Sequence, residues 1–493
     1  MMKHTKISRR GFLRNGSIAA GAILAGGRFG RAAKAPDRPN VLFCIADDWS
    51  WPHAGAGGDK VVKTPAFDRI AAEGVLFTQT HVAAPSCSPS RSSVLTGQMF
   101  YRLEEGGCLW GTLPAKFPVY SDLLEQAGYH VGHTRKGWGP GRDEPGGRKR
   151  NAAGERYQDF AAFLAARPAG KPFCFWFGSY EPHRGYAKGS GLKSGKRVED
   201  VTVPPFLPDS DEVRSDILDY YVEVEQYDTQ VAGLLKQLEA LGELDRTLVV
   251  MTSDNGMPFP RAKSNIYDYG THMPLAVRWP KRVQGGRKVE DFISFCDFAP
   301  TFLQAAGCDV PACMTGRSFL DVLTGGGQGR VDPKRDRVFV GKERHTAGRA
   351  GGVGYPCRGL RTREFLYIRN YEPDRWPAGD PEAFADIDGS PSKSYLLAHR
   401  DEPKVKRFFE LACAQRPAEE LYDLKKDPAE LTNVAGRPEY AEVRQKLSAE
   451  LAAFLKATGD PRVLGGGEKF DEYPYYGGGW RPKDLKKTRK AAR

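Results

Sequence analysis

The chain contains no apolar run approaching the roughly 20 residues that a membrane-spanning helix requires, which excludes a stable membrane anchor. Its nine cysteines include no C-x-x-C pair and are odd in number, which excludes a small scaffold stapled by disulfides. Cys308 and Cys313 are close enough in sequence to bridge, but spacing does not decide the matter. No internal repeat is found, and no acid occurs among the first 35 residues.

What is present is a 493-residue chain with 40% apolar and 11% aromatic residues, too hydrophobic to be disordered. It is too long for one core of ordinary size, so a large domain with an appendage, or two domains, is expected. The formal charge is +12, which invites a nucleic-acid or anionic-membrane partner. Position removes that invitation. Residues 1–35 hold eight Lys/Arg, residues 481–493 hold seven against one acid, and the body between them carries 58 basic against 60 acidic residues. A nearly neutral body gives no reason to expect a nucleic-acid partner.

The first 35 residues place Arg9-Arg10 before a short Gly/Ala-rich apolar run and end in Ala33-Lys34-Ala35, the order of a twin-arginine export signal. Export through the twin-arginine machinery, cleavage near Ala35 and a mature protein in the periplasm or outside the cell are expected. The basic tail 481–493 lacks apolar periodicity and reads either as a solvated end or as an anionic-glycan contact.

Residues 41–46 form a continuous apolar run, as in a strand buried on both faces, and end in Asp47-Asp48. Residues 64–74 read as a helix capped by Thr64, with Pro65 in its first turn and Gly74 at its end. Further strands are expected at 75–77, 173–177, 247–251 and 275–278, and helices at 121–127, 211–241 and 298–306. This alternation predicts an α/β fold whose largely parallel sheet has helices on both faces. Past about residue 335 the segments become short, predicting a smaller antiparallel sheet with a helix at 441–457. The expected divisions are therefore 1–35, 36–335, 336–480 and 481–493, with 325–329 a flexible connector and 372–404 a long polar stretch.

Ligands of an open parallel sheet bind beyond the carboxyl ends of its strands. Asp47-Asp48 and Asp254-Asn255 both fall there. Either pair alone could be a loop or cap; together they supply hard oxygen donors suited to Ca²⁺ or Mg²⁺ rather than Zn²⁺. Cys87 lies just before a helix N-terminus, with Arg91 one turn along. That makes it a candidate thiolate nucleophile or, equally, a buried small residue.

The segment Cys87-Ser88-Pro89-Ser90-Arg91, followed by Leu95-Thr96-Gly97, resembles the signature of the type I sulfatases. The similarity extends over nearly the whole mature chain, through Ser253-Asp254-Asn255-Gly256 to Glu420-Leu421-Tyr422-Asp423. Glu181-Pro182-His183-Arg184 and Asn265-Ile266-Tyr267 look closest to the heparan N-sulfatase (sulfamidase) branch. The resemblance implies an alkaline-phosphatase-like sulfatase fold and an enzyme that hydrolyses sulfate esters or N-sulfates of carbohydrates, including glycosaminoglycans. It also implies oxidation of Cys87 to formylglycine by a maturating enzyme before folding, and Ca²⁺ held by Asp47, Asp48, Asp254, Asn255 and the modified Cys87. Arg91 would hold the formylglycine hydroxyl, while Lys136, His183 and Lys263 would contact the sulfate or the leaving atom. Many members have a His where this chain has Trp138, so Trp138 could offer a sugar-stacking face instead. Glu181, Arg184, Glu343, Arg344 and His345 fall where the family lines its sugar pocket; Glu181 could meet a sugar amine or simply form an ion pair. A phosphomonoester or phosphonate hydrolase of the same superfamily, and a catalytically silent glycan-binding relative, are the alternatives.

Overall fold

The computed structural model describes residues 38–478. The expected export signal and the whole of the basic tail 481–493 lie outside the described residues. Among the described residues, no helix is long and apolar enough to cross a membrane.

Nine strands form the larger sheet: β1 Asn40–Ala46, β2 Val75–His81, β3 His130–Arg135, β4 Glu155–Arg156, β5 Phe173–Gly178, β6 Thr247–Ser253, β7 His272–Arg278, β8 Arg287–Val289 and β9 Ile293–Ser294. Their order is β4-β3-β5-β1-β6-β7-β2-β8, with β9 also on β2. Strand β7 runs antiparallel to both neighbours, whereas the other pairings are parallel. The sheet is therefore mixed but mostly parallel. Strand β3 escapes the sequence reading because Gly132, His133 and Thr134 interrupt its apolar pattern, yet it pairs with β5 over six positions.

Strand β1 explains why such a sheet needs two covers. Val41, Phe43 and Ile45 enter one apolar core with the helix Phe298–Ala305, while Leu42, Cys44 and Ala46 enter another with the helix Asp211–Ala240. Successive side chains of a strand point to opposite faces, so an unbroken apolar run is a strand covered on both. The long helix starts at Ser210, whose side chain accepts from Val213 N; replacing such a cap by Ala costs about 1 kcal/mol.

Strands β10 Arg337–Lys342, β11 Cys357–Thr362, β12 Phe365–Asn370 and β13 Glu419–Asp423 form a four-stranded antiparallel sheet, as expected past residue 335. It shares a core with the helix Ala441–Ala457 and with Ala83, Ala84, Met99 and Phe100, which flank the buried helix Cys87–Thr96.

Three local expectations are corrected. Thr64 precedes the helix Pro65–Glu73 but makes no side-chain cap bond; its hydroxyl instead accepts from Gly55 N and donates to Asp68. Cys87 is the first residue of its helix, with Ser86 as the cap residue. The segment 325–329 is not a free connector: Arg287 donates to the carbonyls of Val322, Leu323 and Gly327, and Gly329 bridges to Val289. All nine cysteines are free thiols, including Cys308 and Cys313.

Candidate active site

Strands β3, β5, β1 and β6 are parallel neighbours, so their carboxyl ends open side by side. Asp47-Asp48 follow β1, Asp254-Asn255 follow β6, Lys136 follows β3, and His183 lies on the loop after β5. The register pairs Ala46 with Ser253, which sets the two acidic pairs adjacent although 207 positions separate Asp48 from Asn255. Asp48 has a φ of 77°, a left-handed conformation that costs a residue with a Cβ roughly 1–2 kcal/mol. Its N–H donates to Asp254 Oδ1 at 3.2 Å.

The helix Cys87–Thr96 delivers the remaining groups. All ten of its residues are buried, so it presents no solvent face, and Gly97 ends it in the left-handed region with φ 64°. A Cβ at Gly97 would lie 2.9 Å from Met314 Sδ, so only glycine fits both the turn and the packing. Cys87 Sγ lies 3.3 Å from Asp47 Oδ1. Arg91 is fully buried; its Nε donates to Asp254 Oδ2 at 2.7 Å and its guanidinium also donates to the carbonyls of Ala46, Lys136 and Gly137. Arg91 thus ties together the ends of β1, β3 and β6.

The carboxylates Asp47, Asp48 and Asp254 cluster with Cys87, one donor atom of each lying within 4.8 Å of the others. Lys136 Nζ donates to Asp47 and lies 3.8 Å from Asp254. Lys263 Nζ donates to Asp48 at 2.7 Å. His183 Nδ1 faces the Arg184 carbonyl at 3.1 Å; a carbonyl only accepts, so Nδ1 carries a proton and Nε2 is left facing Asp48 at 3.9 Å.

Burial works against charge here, and the cations decide which carboxylate keeps it. Burial raises Asp47, but Lys136, His183, Arg91 and Lys263 together outweigh it and hold Asp47 well below the usual carboxylate range. Asp48 is pushed up to about 6 because burial, aided by the charge of Asp47, exceeds the pull of Lys263. Burial and then Asp47 push the Cys87 thiol well above its ordinary value. An unmodified Cys87 is therefore a poor thiolate.

The donor set fits a hard divalent cation on one specific observation. Asn255 Nδ2 donates to Asp48 Oδ1 at 2.6 Å and to the Gly256 carbonyl, which directs its Oδ1 elsewhere. That Oδ1 is buried with no partner among the described residues. An unpaired buried carbonyl oxygen beside three carboxylates is costly unless a cation meets it.

The sugar-pocket expectations fare unevenly. Glu181 lines the cleft above the site, with its carboxylate held by Arg135, Gln226 and Gln230. Arg184 also lines it but is paired with buried Asp216 of the long helix. Trp138 also lines the cleft but is otherwise buried, and its indole N–H donates to Ser92 Oγ at 2.8 Å. His345 is buried against Ser86 Oγ at 2.8 Å and is pushed down to about 4 by burial. Glu343 sits in a buried ion-pair network with Arg358 and Arg462, and Arg344 donates to the Pro474 carbonyl. Neither Glu343 nor Arg344 lines the cleft.

No motif in the sequence marks Asp388 as a site residue. It accepts from Lys263 Nζ at 2.9 Å and clusters with Asp48 and His183. It lies in the polar stretch 372–404, where acids are too common for one to stand out; the only signal is its place two residues before Ser390, the N-cap of the helix Pro391–Ala398.

A mostly parallel α/β sheet with oxygen donors at adjoining strand ends, plus a separate antiparallel sheet, is an alkaline-phosphatase-like fold, shared with solved structures. Residues 39–308 match the family described as sulfatase, and residues 261–396 match the C-terminal region described for N-sulphoglucosamine sulphohydrolase. The chain belongs to the sulfatase family and is a sulfuric ester hydrolase. An ulvan-active sulfatase of Formosa agariphila is 28% identical over 480 residues, covering 87% of this chain and 77% of that protein. Human N-sulphoglucosamine sulphohydrolase is 28% identical over 475 residues, covering 86% and 91%. A solved protein in complex with its substrate D-glucosamine-2-N,6-O-disulfate superimposes with a TM-score of 0.62 at 22% identity, covering 86% of this chain and 99% of that one; at that identity the likeness shows the fold.

Proposed function

We propose that this protein is an exported, calcium-dependent sulfatase that removes sulfate from a sulfated sugar through a formylglycine made from Cys87. The observation that carries the reading is the convergence of Cys87, three carboxylates and the unpaired Asn255 Oδ1 at the ends of β1 and β6. Calcium, held by Asp47, Asp48, Asp254 and Asn255, would supply positive charge, and formylglycine in its hydrated form would supply the attacking oxygen in place of sulfur. The raised thiol of Cys87 supports that replacement, because the sulfur itself is poorly activated in this setting.

The remaining roles follow from what each side chain can do. Lys136 and Lys263 pair with different carboxylates of the cluster, Asp47 and Asp48, and both stay protonated. Two fixed ammonium groups favour the sulfuryl oxygens as they gain charge. His183 Nε2 is the ring nitrogen left available to exchange a proton with the leaving atom, since Nδ1 is engaged with Arg184. Arg91 fixes the strand ends and adds charge without moving.

The region 36–335 would carry the chemistry and 336–480 would close one side of the site through Asp388. Formylglycine requires a maturating enzyme acting on an extended chain, before export in folded form by the twin-arginine route. The names of the curated relatives support glucosamine N-sulfate and ulvan as substrate classes. The test is sulfate release from defined heparan and ulvan oligosaccharides by protein in which mass spectrometry finds aldehyde at position 87. Absence of release from every member defeats the reading, and faster release of phosphate than sulfate from one leaving group favours a phosphohydrolase instead.

A further inference from the structure

The cleft above the carboxylates has a volume of about 1050 Å³ and runs from Asp47, Lys136 and His183 outward past Arg135, Tyr180 and Trp110. Sites that enclose a whole drug-sized ligand span roughly 300–1000 Å³, so this one has room for more than a single sugar. Five large apolar side chains stand exposed among the described residues, and Tyr180, at 49%, is the one aromatic among them. Scattered exposed side chains need no explanation. Tyr180 is different because its surroundings hold it.

The Arg135 guanidinium lies over the Tyr180 ring, 4.9 Å from its centroid. Arg135 is in turn clamped by Glu181, whose two carboxylate oxygens accept from Nη2 at 2.8 and 2.7 Å. Glu181 is fixed by Gln226 and Gln230 of the long helix at 3.2 and 3.1 Å. Arg135 itself adopts φ 60°, outside the ordinary range for a residue with a Cβ, and its Nε is buried without a partner. A strained residue committed to a stack and a clamp makes the ring a rigid surface. Such a surface binds at little entropic cost, because nothing has to be ordered on contact. The positions are also fixed relative to the chemistry: Arg135 directly precedes Lys136, and Tyr180 lies three residues before His183.

We propose that Tyr180, backed by Arg135, is the stacking platform of a second sugar subsite, so that the preferred substrate is an oligosaccharide whose neighbouring pyranose lies on this ring while its sulfated unit reaches Lys136 and His183. The apolar C–H face of a pyranose matches the face of a tyrosine ring, and the ring's polar tip remains in water. This rests on the sulfatase reading above.

The test compares kcat/KM for a sulfated tetrasaccharide with that for the corresponding sulfated monosaccharide, in the parent, Tyr180→Ala and Tyr180→Phe. The platform requires the preference for the longer chain to fall about five- to tenfold in Tyr180→Ala, the scale of one aromatic contact, and to survive in Tyr180→Phe, which keeps the ring. Equal preference in parent and Tyr180→Ala overturns it. If the parent releases sulfate from neither substrate, the sulfatase reading has failed instead, and the subsite is judged by calorimetric titration with the tetrasaccharide. Weaker binding by Tyr180→Ala than by Tyr180→Phe then supports it, and equal binding overturns it.

Discussion

Lys263 Nζ donates to Asp388 at 2.9 Å across 125 positions of sequence, while the same ammonium donates to Asp48 at 2.7 Å. A side chain from the polar stretch 372–404, outside the nine-stranded sheet, thus helps aim a cation at the site. Replacing Asp388 by Ala leaves Lys263 with one carboxylate partner. We expect kcat/KM for sulfate release to drop about tenfold, the scale of one charge-assisted hydrogen bond, and Asp388→Asn to recover part of the loss because its carbonyl still accepts. Unaltered kinetics in both variants would show that Lys263 needs no second partner.

Removal of the proposed divalent cation should abolish turnover and lower thermal stability together, because the clustered carboxylates then repel one another across a buried space. Calcium restored at about 100 times its dissociation constant should return about 2.7 kcal/mol. Differential scanning of chelated and calcium-loaded protein checks this. A melting temperature indifferent to chelator and to calcium would contradict the assignment of Asp47, Asp48, Asp254 and Asn255 as ligands.

Glu343 should behave as a structural residue. Arg358 donates to it at 2.6 Å and to Asp460 at 2.6 Å, all fully buried, and Arg462 closes the network at 2.8 Å. Removing one partner of a buried pair strands the other charge, which costs about 3–5 kcal/mol. Chemical denaturation of Glu343→Ala should show a loss of that size. A stable Glu343→Ala protein with a selectively raised KM would instead place Glu343 in substrate binding.

The pH dependence of stability should carry the mark of Glu430. Its Oε2 accepts from Asp268 N at 2.8 Å, and its Oε1 is buried without a partner. Burial, then the charge of Asp268, push its carboxyl from 4.5 up to about 8. A folded value above the unfolded one means the stabilisation is complete below the unfolded value and is lost as pH rises through about 8. Glu430→Gln keeps an acceptor for Asp268 N and cannot ionise. Its melting temperature should fall less steeply than the parent's as pH rises from about 4.5 to about 8; parallel curves over that range would assign the loss to another group.

Much of the catalytic sheet was legible because its strands are unbroken apolar runs, and a run such as 41–46 has no alternative but burial on both faces. Strand β3 was not, since Gly132, His133 and Thr134 break the apolar pattern and are buried only once the strand lies between β4 and β5. The acidic pairs were legible because each lies at the carboxyl end of such a run, Asp47 directly after 41–46 and Asp254 after 248–251 with Thr252 and Ser253 between. The polar contacts of Glu181, Glu343 and Asp388 were not, because a carboxylate's partner is chosen by three-dimensional neighbours far away in sequence.

The sequence by itself determined the alternation of buried strands and helices, the acidic pairs at strand ends, the cysteine-to-arginine helix turn and the location of the excess positive charge. Each is a matter of local pattern, set by spacing within a few residues. Only the tertiary structure decided that β1 and β6 stand side by side, that Lys136 and Lys263 pair with different carboxylates of one cluster, that Asn255 Oδ1 is left unpaired among the described residues, and that Tyr180 is pinned under Arg135. Those depend on strand order and packing, which bring together groups that no short-range pattern connects.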